Sequence, residues 1–398
     1  MSTEPYIKRS PELNMPERVL LGPGPSNVHP RVYKAMTQPV VGYLDPTLFK
    51  VLDDVKELLR WVFQTQNSMT FPISGTGSAG MEAAMCNIVE PGDKVVVGVN
   101  GLFGSRLADL AVRCGAEVVP VEAEWGKAIA ADAIKKALSG STKTKAVAVV
   151  HAETSTGILQ PLEEISALTH EHDALFLVDA VTSLGGCYLN VDATGIDACY
   201  SCTQKCLSCP PGLSPVTFSP AAVGSISSRQ KPVQSFYFDL KLLENYWGDN
   251  HIYHHTIPMT MIYALYEGLR IVQEEGLEER FLRHERNAKS LQAGLEALGL
   301  QLFAEKDHRL PTLTSVLVPD GVDDSKIRGA LLNNDGIEIG GGLGALRGKI
   351  WRIGLMGYAS TIDNVTLVIN RLGDRLEQNG FKCDVASAEA AAKSANDA

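Results

Sequence analysis

The stretch Ser201–Gly212, SCTQKCLSCPPG, offers two chemistries at once. Cys202, Cys206 and Cys209 stand at C-x3-C-x2-C spacing, the arrangement that usually holds a radical-generating iron-sulfur cluster, and a single amine, Lys205, lies among them. For a cluster the spacing fits, but such motifs usually carry an aromatic residue before the last cysteine, and Ser208 stands there instead. A structural zinc needs a fourth ligand, and the nearest histidines, His170, His172 and His251, offer no partner at metal spacing. The thiols therefore read as small buried apolar residues with no metal, and the chemistry passes to the lysine.

An amine needs partners, and the ends of the neighbouring apolar runs supply them. AVAVVH stops at AETSTG, ALFLVD stops at Asp179, and IDACYSC stops at TQK. In an open parallel sheet, ligands bind beyond the carboxyl ends of the strands, so hydroxyls, a carboxylate and the lysine would reach one edge. An acid closing ALFLV is costly to bury unpaired, which favours a functional role for Asp179. Upstream, FPISGTGSAGMEAAM runs from strand through Gly75, Thr76, Gly77 and Ser78 into a helix; taken alone this is equally a serine-capped turn and an anion cradle. Phosphate cradle, buried Asp and strand-end Lys together are what pyridoxal phosphate requires: an anion site, a partner for the ring nitrogen and an amine for a Schiff base. Other chemically able residues have plainer readings. His151, His254 and His255 read as satisfied core histidines, Arg106 and Arg113 as surface ion pairs, and the charges from Glu274 to Arg286 as a solvated helix face.

The elements that must position these residues follow from periodicity. KVVVGV, EVVPVE, KAVAVVH, ALFLVD, IDACYSC and SPVTFS alternate with helical segments such as 102–114 and 162–172, which predicts a buried, mainly parallel sheet covered by helices. Asp45 and Pro46 start a helix with Leu48, Val51, Leu52, Val55, Leu58, Leu59 and Val62 on one face. After Tyr263 long charged helices lead to shorter strands at TLTSVLVP, GIEIGG and KIWRIGLMG and a helix over 361–377, a smaller α+β unit. With 398 residues, 45% hydrophobic, the chain can fill two domains. A net charge of -10 without a basic run argues against nucleic acid and anionic membranes as partners. No apolar run approaches signal-peptide or bilayer-spanning length, so a soluble, intracellular chain with free thiols is expected.

LLGPGPSNVHPRV, SGTGSAGMEAA, PGDKVVVGVNGLFGSR, HAETSTGILQP, LVDAVTSLGG, YSCTQKCLSCPPG, YHHTIP and WRIGLMG together resemble the alanine-glyoxylate and serine-pyruvate aminotransferases of fold type I, class V, over about residues 18–378. The resemblance implies a mainly parallel seven-stranded sheet in a large domain and a smaller α+β C-terminal domain. The expected divisions are an arm at 1–17, the large domain at 18–277, the small domain at 278–383 and a disordered tail at 384–398. It makes Lys205 the Schiff-base lysine and Asp179 the partner of the pyridine nitrogen, both catalytic. Thr76, Gly77, Ser78 and Gln204 match the phosphate contacts, Val181 packs on the ring, and Ser155 is a hydroxyl near ring and substrate. Phe103 stands where a ring stacks on the cofactor and where animal members often carry tryptophan; Ser78 stands where some members have histidine. Tyr253 and Thr256 match residues that reach the phosphate of the other subunit, which implies a homodimer. Arg352 matches the arginine that holds the substrate carboxylate, and Gly24, Gly42 and Tyr43 line the substrate pocket. The implied reaction moves the amino group of alanine or serine to glyoxylate, giving glycine and pyruvate or hydroxypyruvate, in two half-reactions within cytoplasmic glyoxylate metabolism. A ureidoglycine-glyoxylate or phosphonate aminotransferase is the nearest alternative. A cysteine desulfurase would normally carry histidine where Gln204 stands.

Overall fold

The computed structural model describes residues 10–140 and 142–397, so part of the expected N-terminal arm, residues 1–9, lies outside the described residues. Its strands in chain order are β1 (Val19–Leu20), β2 (Met69–Ser74), β3 (Lys94–Val99), β4 (Glu117–Glu122), β5 (Thr144–Val150), β6 (Ala152–Glu153), β7 (Ile158–Leu159), β8 (Leu175–Asp179), β9 (Ala198–Tyr200), β10 (Leu213–Phe218), β11 (Leu313–Leu317), β12 (Ile337–Glu338), β13 (Gly340–Gly341) and β14 (Ile350–Gly354). Seven of them form one sheet in the order β2-β10-β9-β8-β5-β3-β4. β10 runs antiparallel to both neighbours, and the other pairings are parallel. β2 is thereby parallel to β9, and every strand except β10 delivers its carboxyl end to one edge.

The central strands are apolar on both faces because helices cover both, as a parallel sheet demands. β4 departs from the expectation of a wholly buried sheet: it is the edge strand, largely exposed, and it tolerates Pro120 because an edge strand leaves one side of its backbone unpaired. Four helices frame the site, α1 (Pro30–Met36), α2 (Pro46–Phe63), α3 (Gly77–Ile88) and α4 (Leu102–Arg113). α2 starts where the sequence indicates, with the Asp45 carboxylate accepting the Thr47 N–H at 2.7 Å and Leu48, Leu52, Val55, Leu58, Leu59 and Val62 buried.

The smaller unit is an antiparallel sheet, β11-β14-β13, against the helices Leu277–Ala297, Asp324–Asp335 and Ile362–Gln378. Its core gathers Leu291, Trp351, Ile353, Val368 and Leu372, and also Leu21 from near the N-terminus. β1 pairs with β12. The segment 19–21, assigned by sequence to the large domain, therefore packs with the small one. A second departure is the tail. Residues 385–397 form a helix rather than a disordered end, with Ala388 and Ala392 fully buried. Small side chains make this packing possible: Gly294 of the Leu277–Ala297 helix lies so close that an added Cβ would stand 3.2 Å from the Cβ of Ala392, and the Ser290 hydroxyl donates to the Ala392 carbonyl at 2.6 Å. Among the described residues no helix is long and apolar enough to cross a membrane.

Candidate active site

The carboxyl edge of the large sheet opens into a cleft of about 140 Å³ lined by Thr76, Gly77, Ser78, Phe103, Thr154, Asp179, Val181, Gln204 and Lys205. They come from the ends of five strands, β2, β3, β5, β8 and β9. The turn after β2 has Gly75 at φ +146°, a conformation that favours glycine, and Thr76 at the N-cap of α3. No side chain caps α3, so the first backbone N–H groups of the helix stay open toward the cleft, as an anion cradle needs and a serine-capped turn would not. Gly77 is also a packing requirement, because a Cβ there would come within 3.2 Å of the Val181 and Cys202 side chains.

Asp179 ends β8 and is buried. Its Oδ1 accepts the Val181 N–H at 2.8 Å and its Oδ2 the Tyr200 hydroxyl at 2.7 Å. Burial outweighs both bonds and pushes the carboxyl up to about 6, with nearby Glu153 adding to the shift. Tyr200 escaped sequence reasoning; the signal was there, since the parallel register sets Asp179 beside Tyr200 at the ends of adjacent strands. Lys205 follows five residues later in the loop after β9, and its ammonium donates to the Pro23 carbonyl. Desolvation lowers its pKa, which favours the neutral nucleophilic amine. Gly24 passes so near that a Cβ would collide with the lysine side chain. Among the described residues the buried Oε1 of Gln204 has no hydrogen-bond partner.

Arg352 arrives from the small domain on β14, and is 5% exposed. It donates to the carbonyls of Gly341 at 2.8 Å and Thr154 at 3.1 Å, and burial brings it down to about 10. Its hydrogen bonds go to backbone carbonyls and no carboxylate of the described residues forms an ion pair with it, which leaves it suited to an incoming carboxylate. Ser155 is buried in the hairpin beside the cleft, its hydroxyl donating to Glu153 at 2.6 Å and accepting the Leu102 N–H at 2.8 Å. Arg106 is not a surface ion pair. It lines the cleft with its guanidinium 5.1 Å from the Phe103 ring centroid, whereas Arg113 does pair with Asp109, at 2.8 Å. The helical turn separating 106 from 103 carries the difference.

Four expected residues stay apart from this cleft. Gly42 is exposed with open space about it, and Tyr43 packs its ring 4.7 Å from that of Tyr253, itself 51% exposed. The Tyr253 hydroxyl lies 3.3 Å from the Thr256 hydroxyl. His254 and His255 are half-buried rather than core: His255 Nε2 lies 2.8 Å from the Ser74 hydroxyl, and His254 stacks on Phe236. His151 is buried, but its Nδ1 has no partner among the described residues. The helix expected to present a solvated charged face buries Arg280 and His284, because it runs between the two domains. Arg280 pairs with Glu275 at 2.5 Å and donates to the Cys206 and Gly185 carbonyls, and His284 Nε2 accepts the Gly357 N–H at 2.9 Å. Cys202, Cys206 and Cys209 are buried thiols whose sulfurs donate to backbone carbonyls, and among the described residues no group of three or more His, Cys, Asp or Glu could hold a metal ion. A larger groove of about 630 Å³ between α1, α2 and the Met259–Glu275 helix contains no such convergence of nucleophile, strand-end acid and anion cradle.

The cleft thus offers an amine, a buried carboxylate, an uncapped helix start and a buried amide oxygen without a partner, a set that fits pyridoxal phosphate. Comparison with known proteins agrees. Residues 24–366 match the family model of the class-V aminotransferases. The crystal structure of an alanine-glyoxylate aminotransferase from Nostoc sp. superposes with a TM-score of 0.91 at 47% identity, covering 94% of this chain and 99% of that one. The ureidoglycine-glyoxylate aminotransferase of Bacillus subtilis superposes with a TM-score of 0.95 at 42% identity, covering 98% and 100%. Among sequences, the alanine-glyoxylate aminotransferase of Callithrix jacchus is 43% identical over 369 residues, 92% of this chain and 89% of its own. The chain belongs to the class V aminotransferases, enzymes of fold type I that work with pyridoxal phosphate.

Proposed function

We propose that the enzyme transfers the amino group of a small amino acid, alanine or serine, to glyoxylate, releasing pyruvate or hydroxypyruvate and forming glycine. The observation that carries this reading is that Lys205 and Asp179 line one cleft, with Arg352 donating to the carbonyl of the cleft residue Thr154, in a chain whose relatives at 42–47% identity are named for glyoxylate. When bound, pyridoxal phosphate supplies the aldehyde that takes up the amino group and the ring that accepts the electron pair left at the substrate Cα. The chain's residues do the rest. Backbone N–H groups at Gly77 and Ser78 and the positive end of α3 would hold the phosphate, with Gln204 beside them. Asp179 would keep the ring nitrogen protonated, and Lys205 Nζ would carry the covalent attachment and then move the proton from the substrate Cα. Arg352 would take the substrate carboxylate in a two-pronged contact, fixing the Cα–H bond in orientation. One site serving donor and acceptor in turn gives ping-pong kinetics.

The reading includes a homodimer. Val40, Tyr43, Leu44, Phe236, Ile252 and Tyr253 are large apolar side chains left exposed on segments that meet, Tyr43 packing on Tyr253 and Phe236 on His254, and they support an interface that brings the partner subunit's Tyr253 and Thr256 to the phosphate. It also includes a place in cytoplasmic glycine formation, where all eight thiols, free in the described structure, stay reduced. The second reading, ureidoglycine as donor, is supported by the Bacillus subtilis relative, 43% identical over 90% of both chains. A donor panel of alanine, serine and ureidoglycine, with glyoxylate and with pyruvate as acceptor, separates them. Turnover of alanine or serine with glyoxylate is expected; turnover confined to ureidoglycine selects the second reading, and failure of glyoxylate as acceptor overturns both.

A further inference from the structure

We propose that Glu153 is a positioning residue of the cofactor cleft, a carboxylate that ties the hairpin after β5 to the start of α4 and so fixes Phe103, Ser155 and the Thr154 carbonyl together. The ties are specific. Oε1 accepts the Ser155 N–H at 3.0 Å and the Ser155 hydroxyl at 2.6 Å, and Oε2 accepts the N–H groups of Phe103 at 3.0 Å and Gly104 at 3.1 Å. The Ser155 hydroxyl passes the connection on by accepting the Leu102 N–H at 2.8 Å. One side chain thereby joins loops that leave two neighbouring strands, β5 and β3, at the edge where the cofactor belongs.

Gly101 shows how closely the two loops are drawn. It occupies the N-cap of α4 without a side chain to cap it, and a Cβ there would run into the Glu153 side chain. The capping task falls to a carboxylate reaching in from another loop, where the positive end of the helix favours its charge. A serine or aspartate at the N-cap is the usual solution and buries far less charge. The buried arrangement gains something a local cap would not give: it ties together two loops that each contribute a residue to the cleft wall. The Phe103 ring and Thr154 line the cleft, and the Thr154 carbonyl receives Arg352. Glu153 is also the foremost favourable charge acting on Arg352, so one anion steadies both the aromatic wall and the guanidinium meant for substrate.

The test uses holoenzyme carrying Glu153→Gln or Glu153→Asp and reads the cofactor alone, so it does not depend on the preferred donor or acceptor. Glutamine keeps the shape but turns one of its ends into an N–H₂ group facing N–H donors. The expected result is a folded protein by far-ultraviolet circular dichroism, pyridoxal phosphate bound about tenfold more weakly, and an altered visible circular dichroism band of the bound cofactor, which reports the asymmetry of its ring surroundings. Aspartate keeps the charge with a shorter reach and recovers part of the affinity. A merely structural cap predicts otherwise: a lower melting temperature with cofactor affinity and visible band unchanged, and that outcome overturns the proposal. Should Glu153→Gln fail to fold, Ser155→Ala carries the test, because it unties Leu102 while both bonds to Phe103 and Gly104 remain. Unchanged affinity and visible band in that variant overturn the proposal equally.

Discussion

Replacing Asp179 by asparagine should make the cofactor-free protein more stable while nearly abolishing turnover. The native carboxyl titrates near 6 against an ordinary 3.8, because burial penalises its charge more than Tyr200 and Val181 relieve it. A raised native pKa means that the folded state holds the proton more tightly than the unfolded state. The stabilisation is complete below about pH 3.8, is lost as pH rises to about 6, and leaves a charged group that costs the fold roughly 3 kcal/mol above that. Asparagine removes the charge and keeps both contacts: its Oδ1 can accept the Val181 N–H, and its amide can donate to the Tyr200 oxygen. Urea unfolding of the cofactor-free variant at fixed protein concentration should show a gain of about 1–3 kcal/mol near pH 7.5 that shrinks toward zero near pH 4. Turnover should fall by on the order of a thousandfold, since no anion remains to hold a proton on the ring nitrogen. A variant no more stable than wild type near pH 7.5, or equally stabilised at both pH values, refutes the reasoning.

Lys205→Ala should fold normally by circular dichroism, lose the visible absorbance of attached cofactor and lose turnover; borohydride reduction that still fixes the cofactor, at another lysine, contradicts the assignment. Arg352→Lys trades a planar fork for a point charge and cannot keep the contacts to Gly341 and Thr154 while presenting two parallel N–H groups, so the donor KM should rise by about tenfold to a hundredfold with a smaller change in kcat. An unchanged KM in steady-state assays would dismiss the carboxylate role. Cys202→Ser, Cys206→Ser and Cys209→Ser together should leave most turnover and bind no iron. Burial pushes Cys202 and Cys209 up to about 12 and Cys206 to about 11, so none is a thiolate at neutral pH; turnover that depends on added iron would restore the cluster reading.

What could be read from the sequence, and what could not, divides by the range of the interactions. Strand runs and the residues that end them are local patterns, so the sheet, Asp179 and Lys205 were legible, as was α2 with its Asp45 cap. The pairing of Tyr200 with Asp179 depends on register between strands, and Glu153 acts across two loops that no periodicity links. The 277–297 helix misled because charged residues between two domains can be buried when carbonyls and Glu275 receive them; Arg280 bonds two backbone carbonyls that lie about 75 to 95 positions away in sequence. The Ala-rich tail misled for the opposite reason. Its composition lacks large apolar residues, yet alanine is the best helix former, and Gly294 leaves room for alanines to serve as core. Tyr253 and Thr256 were named by resemblance alone, and a single chain leaves them outside its own cleft.

The charges of the cleft carry one further consequence. Lys205 is lowered and Asp179 raised by the same cause, burial, and Arg352 rests on carbonyl oxygens; each is drawn toward its neutral form because the chain alone supplies too little counter-charge. A ligand with a protonated ring nitrogen gives Asp179 the positive partner it lacks, and its carboxyl should then fall back toward the ordinary range. Stability should therefore decline between about pH 4 and pH 6 in the cofactor-free enzyme and lose that decline in the holoenzyme, because a carboxyl with equal native and unfolded pKa contributes no slope. Unfolding of wild type and Asp179→Asn with and without pyridoxal phosphate isolates the contribution of this one group: the difference between the two proteins should slope only in the cofactor-free pair. The same slope in both pairs would mean that the ring nitrogen does not meet Asp179, and that the carboxylate at the end of β8 serves the fold instead of the cofactor.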